Sequence, residues 1–417
     1  MLIFKLFWWL VHLVFIVFLL FHPIIVVAFL LLKKRQLAKN EVVESEKTAH
    51  FACIITAYKQ LDICWPLVDS LMQQQYEHYT IYLVADDCEA TSEDLPYNES
   101  MTNDLIVLRP NKKLGSKLKS IQYAMANFRQ KHEAIIIFDP DNLAVPDFLA
   151  IINRHFQAGY KAIQGQRTAK NLETIYACAD SISELYANYT GRFVPFQLGG
   201  SSAVAGSAMM IETELYQAYL DSEEIAEDLK TDKVIAAEDN ILQNFLVNQN
   251  YRIAFAKNAI VYDEKVSSAK QVERQRARWI FSYFQHAQTA ANMIGQGAKN
   301  RSWNQFLFGF TTLFPPFFIL VLGAVTVAIV DILFGATFLA GYLLLAVFAF
   351  SINFLAVLYL AKAPKIIWQS LWGLPFFVLN QILALLQIRK LNTDFMITEK
   401  KHHISIEDVQ QKNDKKQ

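Results

Sequence analysis

The sequence predicts an α/β protein, a Rossmann-like domain with a mostly parallel sheet between flanking transmembrane helices. Three observations predict it. The two ends are apolar: Lys5 is the only charge in residues 1–32, and Asp331 the only one in 304–361. Between them, short apolar runs alternate with helical patterns, the mark of strands joined by crossover helices. Carboxylates then recur where those runs end, at Asp86-Asp87 and at Asp139 and Asp141.

The composition agrees with that division. The chain has 417 residues, 53% of them hydrophobic, and 39 basic against 39 acidic side chains. Zero net charge removes the electrostatic reason to expect nucleic acid as a partner. The cysteines, Cys53, Cys64, Cys88 and Cys178, lack zinc-type pairing and suit reduced thiols in a cytosolic domain.

From Leu6 to Leu32 the chain is apolar except at His12 and His22-Pro23. A helix of that length crosses a hydrocarbon core of about 30 Å with some tilt. The run is too long for the apolar part of a cleaved signal peptide. Lys33-Lys34-Arg35 follows it and places the next domain on the cytoplasmic side. Residues 1–35 are therefore expected to be an anchor, with His12 and His22 as interfacial or packing residues rather than ligands.

Residues 48–300 are expected to form the soluble domain. Strands are read at 51–55, 81–84, 105–108 and 134–138, with helices at 61–75 and 117–128 between them. The strand Ala134-Ile135-Ile136-Ile137-Phe138 has no alternation, so it is expected to be buried on both faces. It delivers Asp139 and Asp141 at its carboxyl end, where open α/β sheets place their ligands. Two such carboxylates can share Mg²⁺ or Mn²⁺ with phosphate oxygens, although Asp-Pro-Asp-Asn also suits a plain turn. No Gly-x-Gly-x-x-Gly follows the first strand, which argues against a dinucleotide. Further on, 146–156 and 174–189 read as helices around a strand at 162–164. Gly199-Gly200 lies in a loop that is either plain or approached by a ligand. Glu238-Asp239 opens an amphipathic helix. Acids there suit the helix dipole, and one positioned carboxylate also suffices to take a proton from an attacking hydroxyl. Residues 271–293 read as a helix bearing Gln275, Arg278 and Trp279.

At the C-terminal end, 306–334 is apolar but broken at Pro315-Pro316, 335–361 is a clear span, and 366–388 is long enough to cross yet polar in places. Residues 303–390 are therefore expected to be transmembrane and interfacial helices. Asp331 is expected at the outer boundary. Three crossings would leave the tail, 391–417, outside, whereas Arg389, Lys390, Lys400 and Lys401 favour inside. The conflict resolves if 366–388 lies in the interface or re-enters.

Several of these stretches resemble one family. Thr56-Ala57-Tyr58-Lys59-Gln60, Ala85-Asp86-Asp87, Lys117-Leu118-Lys119, Asp139-Pro140-Asp141-Asn142, Ala237-Glu238-Asp239 and Gln275-Arg276-Ala277-Arg278-Trp279 occur in order. Together with Phe395–Lys400 they are similar to glycosyltransferase family 2, in its membrane-bound cellulose, chitin and hyaluronan synthase branch. The first motif departs from that family's usual Pro-Ala-Tyr-Asn-Glu. The resemblance implies a GT-A fold and transfer from a UDP-sugar, with inversion, to a growing β-linked glycan at the cytoplasmic face of the cell's inner or plasma membrane. It implies donor contacts by Ala57, Tyr58, Asp86, Asp87, Lys117, Gln275, Arg278 and Trp279. Asp139 and Asp141 would bind donor and Mg²⁺ or Mn²⁺. Gly199, Gly200 and Trp279 would lie by the acceptor. Asp239 would be the base, supported by Glu238, and Phe395–Lys400 a gating loop. Non-processive transfer to a lipid-linked acceptor, and an inactive membrane scaffold, are the other readings.

Overall fold

The computed structural model describes residues 2–36, 47–89, 104–230, 238–387 and 405–409. In chain order the elements are α1 (Leu2–Gln36), β1 (Phe51–Tyr58), α2 (Trp65–Met72), β2 (Tyr79–Asp86), β3 (Leu105–Leu108), α3 (Lys117–Ala126), β4 (Ala134–Phe138), β5 (Leu143–Ala144) and α4 (Phe148–Gln157). Then come β6 (Ala162–Ala169), α5 (Ile175–Ala187), a π turn over Asn188–Phe193, α6 (Val194–Gln197), β7 (Met209–Glu212), α7 (Thr213–Leu220), α8 (Glu223–Lys230), α9 (Glu238–Asn248) and β8 (Ile253–Asp263). Six helices follow: α10 (Ala269–Asn300), α11 (Trp303–Leu313), α12 (Phe317–Leu333), α13 (Thr337–Leu360), α14 (Lys365–Gln369) and α15 (Leu374–Gln387). The expected gating loop, Phe395–Lys400, lies outside the described residues.

The chain divides into two compact units, one of 42–173, 200–266 and 392–417, the other of 1–41, 174–199 and 267–391. The first of these is built on an eight-stranded sheet of order β3-β2-β1-β4-β7-β6-β8-β5. β3, β2, β1 and β4 are parallel, as are β6 and β8, while β7 and β5 run against their neighbours. Every residue of β4 is buried, as its unalternating apolar sequence requires. β6 continues to Ala169, beyond the expected 162–164. β7 falls at the end of the apolar run 203–211. β8, unassigned in the sequence reading, pairs with β6 across a bulge after Gly165. At one end of the sheet, Ile406 and Val409 are buried against Leu143, with Tyr262 beside them.

The other unit holds the apolar helices. Three of its segments, Lys5–Leu32, Thr337–Leu360 and Lys365–Leu383, are long and apolar enough to cross a membrane. α11 and α12 pass the same test as a pair but are bent by 74°. Pro315 and Pro316 explain the break, since proline removes a donor and pushes its predecessor out of helical geometry. α1, α12 and α13 pack around Leu19, Leu320, Ala324, Ala346 and Phe350. Asp331 is buried: it accepts from Trp8 Nε1 at 2.7 Å and pairs with His12 Nε2 at 2.6 Å. His22 stacks on Phe314 with ring centroids 3.8 Å apart. Both histidines are thus packing residues. α5 is capped by Thr174, whose side chain accepts from Ala177 N–H at 3.1 Å.

Candidate active site

The carboxyl ends of β1, β2, β4 and β6 gather the polar residues of the sheet unit. Asp86 closes β2, and its carboxylate accepts from the N–H groups of Leu114 and Gly115 at 2.8 and 2.7 Å. These bonds hold the 113–116 loop that leads into α3. Asp87 follows in the left-handed region, at φ 54°, a costly conformation for a non-glycine residue. Its side chain is 3.7 Å from Lys113 Nζ, which also lies 5.3 Å from the centre of the Tyr58 ring. A hydrogen bond to Tyr58 holds the Lys113 ammonium above its ordinary pKa. Ala57 is buried in β1.

Lys117 opens α3 and reaches across to β4. Its Nζ donates to Asp139 Oδ1 and, at 2.8 Å, to Gly206 O. Burial alone would lower its pKa, but the Asp139 and Glu238 carboxylates outweigh burial and hold it above the ordinary value. Asp139 is therefore about a third exposed but engaged. Asp141 is different: it is 3% exposed, and its Oδ2 accepts from Glu264 N–H at 3.0 Å.

The loop after Gly200 faces these groups, and four side chains from three elements, α3, β6 and α9, fix it. Val204 N–H donates to Gln243 Oε1 at 2.9 Å, and Ala205 N–H donates to Gln164 Oε1 at 2.8 Å. Arg167 Nη1 donates to Ala205 O, and Lys117 holds Gly206 O. Gly206 has φ +79°, and a Cβ there would come 3.5 Å from Asp239 Oδ2. A small cavity lined by Lys117, Val204, Gly206, Tyr216, Glu238 and Asp239 results. Glu238 is pushed above the usual carboxylate range by burial and then by the charge of Asp239, which Lys117 offsets in part.

The structure thus brings Lys117, Asp139, Glu238 and Asp239 together, with Tyr58 and Asp87 at neighbouring strand ends. Gly200 accepts from Arg252 Nε at 3.4 Å. Gly199, Gln275, Arg278 and Trp279 belong to the helical unit. There the buried cation of the Gln275–Trp279 stretch is Arg276, paired with Asp180 at 2.5 Å and stacked 4.5 Å from the Trp279 ring. Gly199, at φ +91°, lies beside Trp303. Sequence reasoning missed Arg167, Asp263 and Lys265, in which Asp263 binds both cations, Lys265 Nζ at 2.8 Å. The sequence carries no signal for them, since the strand read at 162–164 stops short of Arg167 and β8 is not read from the sequence at all.

Among the described residues no group of three or more His, Cys, Asp or Glu is placed to hold a metal ion. A hard divalent cation shared with a diphosphate needs only one or two carboxylates. Asp139, an oxygen donor about a third exposed, fits that lesser requirement. Asp141 is nearly buried, with its Oδ2 on the Glu264 N–H.

The sequence profile of Glycosyltransferase like family 2 matches residues 49–282, more than half of the chain. The chain belongs to that family. Among curated proteins none matches. Of solved structures, the mannosyltransferase PcManGT from Pyrobaculum calidifontis, in complex with GDP-Man and Mn²⁺, is 14% identical. It aligns over 91% of this chain and 99% of its own with a TM-score of 0.50. S. aureus TarS 1-349 in complex with UDP-GlcNAc is 15% identical over 52% of this chain and 59% of that one, with a TM-score of 0.36. The fold of this family 2 glycosyltransferase is GT-A, an α/β sheet domain accompanied by apolar helices.

Proposed function

We propose that the chain transfers a sugar, with inversion, from a UDP-sugar to an acceptor hydroxyl on a β-linked glycan, at the cytoplasmic face of the cell's inner or plasma membrane. The observation that carries this reading is Asp239 seated against Gly206 beside Lys117 and Asp139. The acceptor oxygen attacks the anomeric carbon, the bond to the diphosphate breaks with its electron pair, and Asp239 takes the hydroxyl proton. Lys117, held positive by its carboxylate neighbours, meets the charge that develops on the leaving diphosphate. Tyr58 and Asp87 lie at the strand ends suited to the nucleoside. Asp139 would hold Mg²⁺ or Mn²⁺, which supplies Lewis acidity toward the diphosphate when bound. Lys33-Lys34-Arg35 supports the cytoplasmic orientation.

The test is Asp239→Asn, which keeps size and removes the proton acceptor. Donor affinity with metal should stay within about twofold while transfer falls roughly 10²–10⁴-fold, the usual worth of a positioned base. Near-normal turnover, or loss of donor binding together with activity, would remove Asp239 from that role. Assaying UDP- and GDP-sugars side by side tests the donor base in the same experiment.

A further inference from the structure

Lys117 has two partners of different character, one fixed and neutral, the other exposed and charged. Its backbone starts from a rigid point. Asp86 holds the loop before α3 through the N–H groups of Leu114 and Gly115. Leu118, Ile121 and Ala124 bury one face of the helix that follows. A flexible stem then carries the ammonium to Gly206 O and to Asp139 Oδ1. Gly206 O belongs to the loop that Gln164, Arg167 and Gln243 hold by its backbone. That carbonyl stays in place whatever the ammonium does.

Asp139 is the partner that can be exchanged. It follows β4, is about a third exposed, and is the oxygen donor suited to Mg²⁺ or Mn²⁺. A lysine ammonium is a compact charge, present at neutral pH. On Asp139 it cancels the charge that would draw a divalent cation and sets a like charge in the cation's way. Such ions are held by few carboxylates and shared with phosphate oxygens, so a carboxylate already neutralised has little hold on the bare ion. Asp141 is no ready substitute, being 3% exposed with its Oδ2 on the Glu264 N–H.

A diphosphate reverses the balance. Its oxygens accept charge-assisted hydrogen bonds from an ammonium, and phosphate oxygens also complete the shell of a divalent cation. We infer that Lys117 bars the cation from Asp139 until a nucleoside diphosphate takes the ammonium, so that cation and nucleotide enter and leave together. Lys117 turns between the two anions while keeping Gly206 O. This rests on the transfer reading above and adds to it a lysine that exchanges partners. The coupling runs both ways: the cation holds Asp139 against the returning lysine, and the nucleotide holds the lysine away from Asp139.

The full chain in detergent, titrated with Mn²⁺ and followed by the electron paramagnetic resonance of the unbound ion, tests this without turnover. Alone, the parent should bind Mn²⁺ weakly, and UDP should tighten it about tenfold or more, within the usual range of such couplings. Lys117→Met and Lys117→Gln, either of which suffices if the other fails to fold, should bind Mn²⁺ without UDP about tenfold more tightly than the parent. Adding Asp139→Asn should abolish that gain, because the lysine acts through that carboxylate. Unchanged affinity in the lysine variants, or a gain that survives Asp139→Asn, overturns the inference. Release of UDP from a panel of UDP-sugars by the parent, followed alongside, keeps the transfer reading standing in that event. No release, with UDP leaving the Mn²⁺ affinity unchanged, overturns both.

Discussion

Two hydrogen-bonded side-chain pairs, one in each unit, show what separates a site from a clasp. Lys117–Asp139 sits at the end of the sheet with both side chains a fifth to a third exposed. Its lysine is shared with Gly206 O and feels Glu238 as well. His12–Asp331 has almost no exposure, and Trp8 takes the second carboxylate oxygen. The first pair holds competing partners within reach of a ligand. The second is complete, and opening it would leave polar groups orphaned among apolar helices. Both would look alike as sequence, a charged residue beside apolar ones.

Substituting the two pairs should therefore give opposite phenotypes. Lys117→Met is expected to lower the rate of transfer by about 10²–10³, the usual loss when one preorganised donor to a developing charge is removed. The thermal midpoint of the detergent-purified protein should barely move; a collapsed midpoint would make Lys117 a structural residue. Asp331→Ala should do the reverse. Trp8 and His12 each lose a buried partner, costing about 1–3 kcal/mol apiece, read as a lower thermal midpoint. UDP-sugar affinity of the folded fraction should persist, and its loss would argue against a purely structural clasp.

The two aspartates of Asp-Pro-Asp-Asn sharpen the contrast. Asp139→Asn should weaken Mn²⁺-dependent donor binding about tenfold or more, measured by calorimetry. Asp141→Asn should act mainly on stability, because its carboxylate is occupied by the Glu264 N–H. A larger metal effect at Asp141 would reverse their roles. The smallest effect is expected at Glu238. Its folded pKa is raised by burial and by Asp239, so the ionised form opposes folding above that pKa and the penalty disappears as pH falls through it. Glu238→Gln should raise the midpoint slightly at pH 7 and flatten its dependence toward acid, relative to the parent. It should also shift the acid limb of kcat downward, since Asp239 loses a like charge. An unchanged limb would uncouple the two acids.

The sheet was legible wherever burial made the sequence uniform. β4 has five apolar residues in a row, and nothing else fits them. β8 was hidden because Lys257 and Asn258, in the middle of it, are exposed at the bulge opposite Gly165 and Gln166. Period-2 reasoning fails where a strand gains residues its partner lacks. In the site, Asp139, Glu238 and Asp239 were readable because they sit at element ends, where acids gather for chemical reasons. Gln164, Arg167 and Gln243 lie inside elements, and their partners are backbone atoms of a loop that is distant in sequence. In the Gln275–Trp279 stretch the motif draws attention to Arg278, while helical phase turns Arg276 inward onto Asp180.

The burial of Ile406 and Val409 has a consequence for solubility. β5 is the last strand of the sheet, two residues long and paired on one side only. A sheet margin left bare offers its unpaired amides and carbonyls to another copy, the common route to strand-on-strand aggregation. Here Ile406 and Val409, on one helical turn of the same chain, pack on Leu143 at that margin. Trimming the protein before Ser405, an obvious choice for crystallisation, would strip an apolar cover from the sheet's open margin and trade a few awkward residues for a protein that sticks to itself.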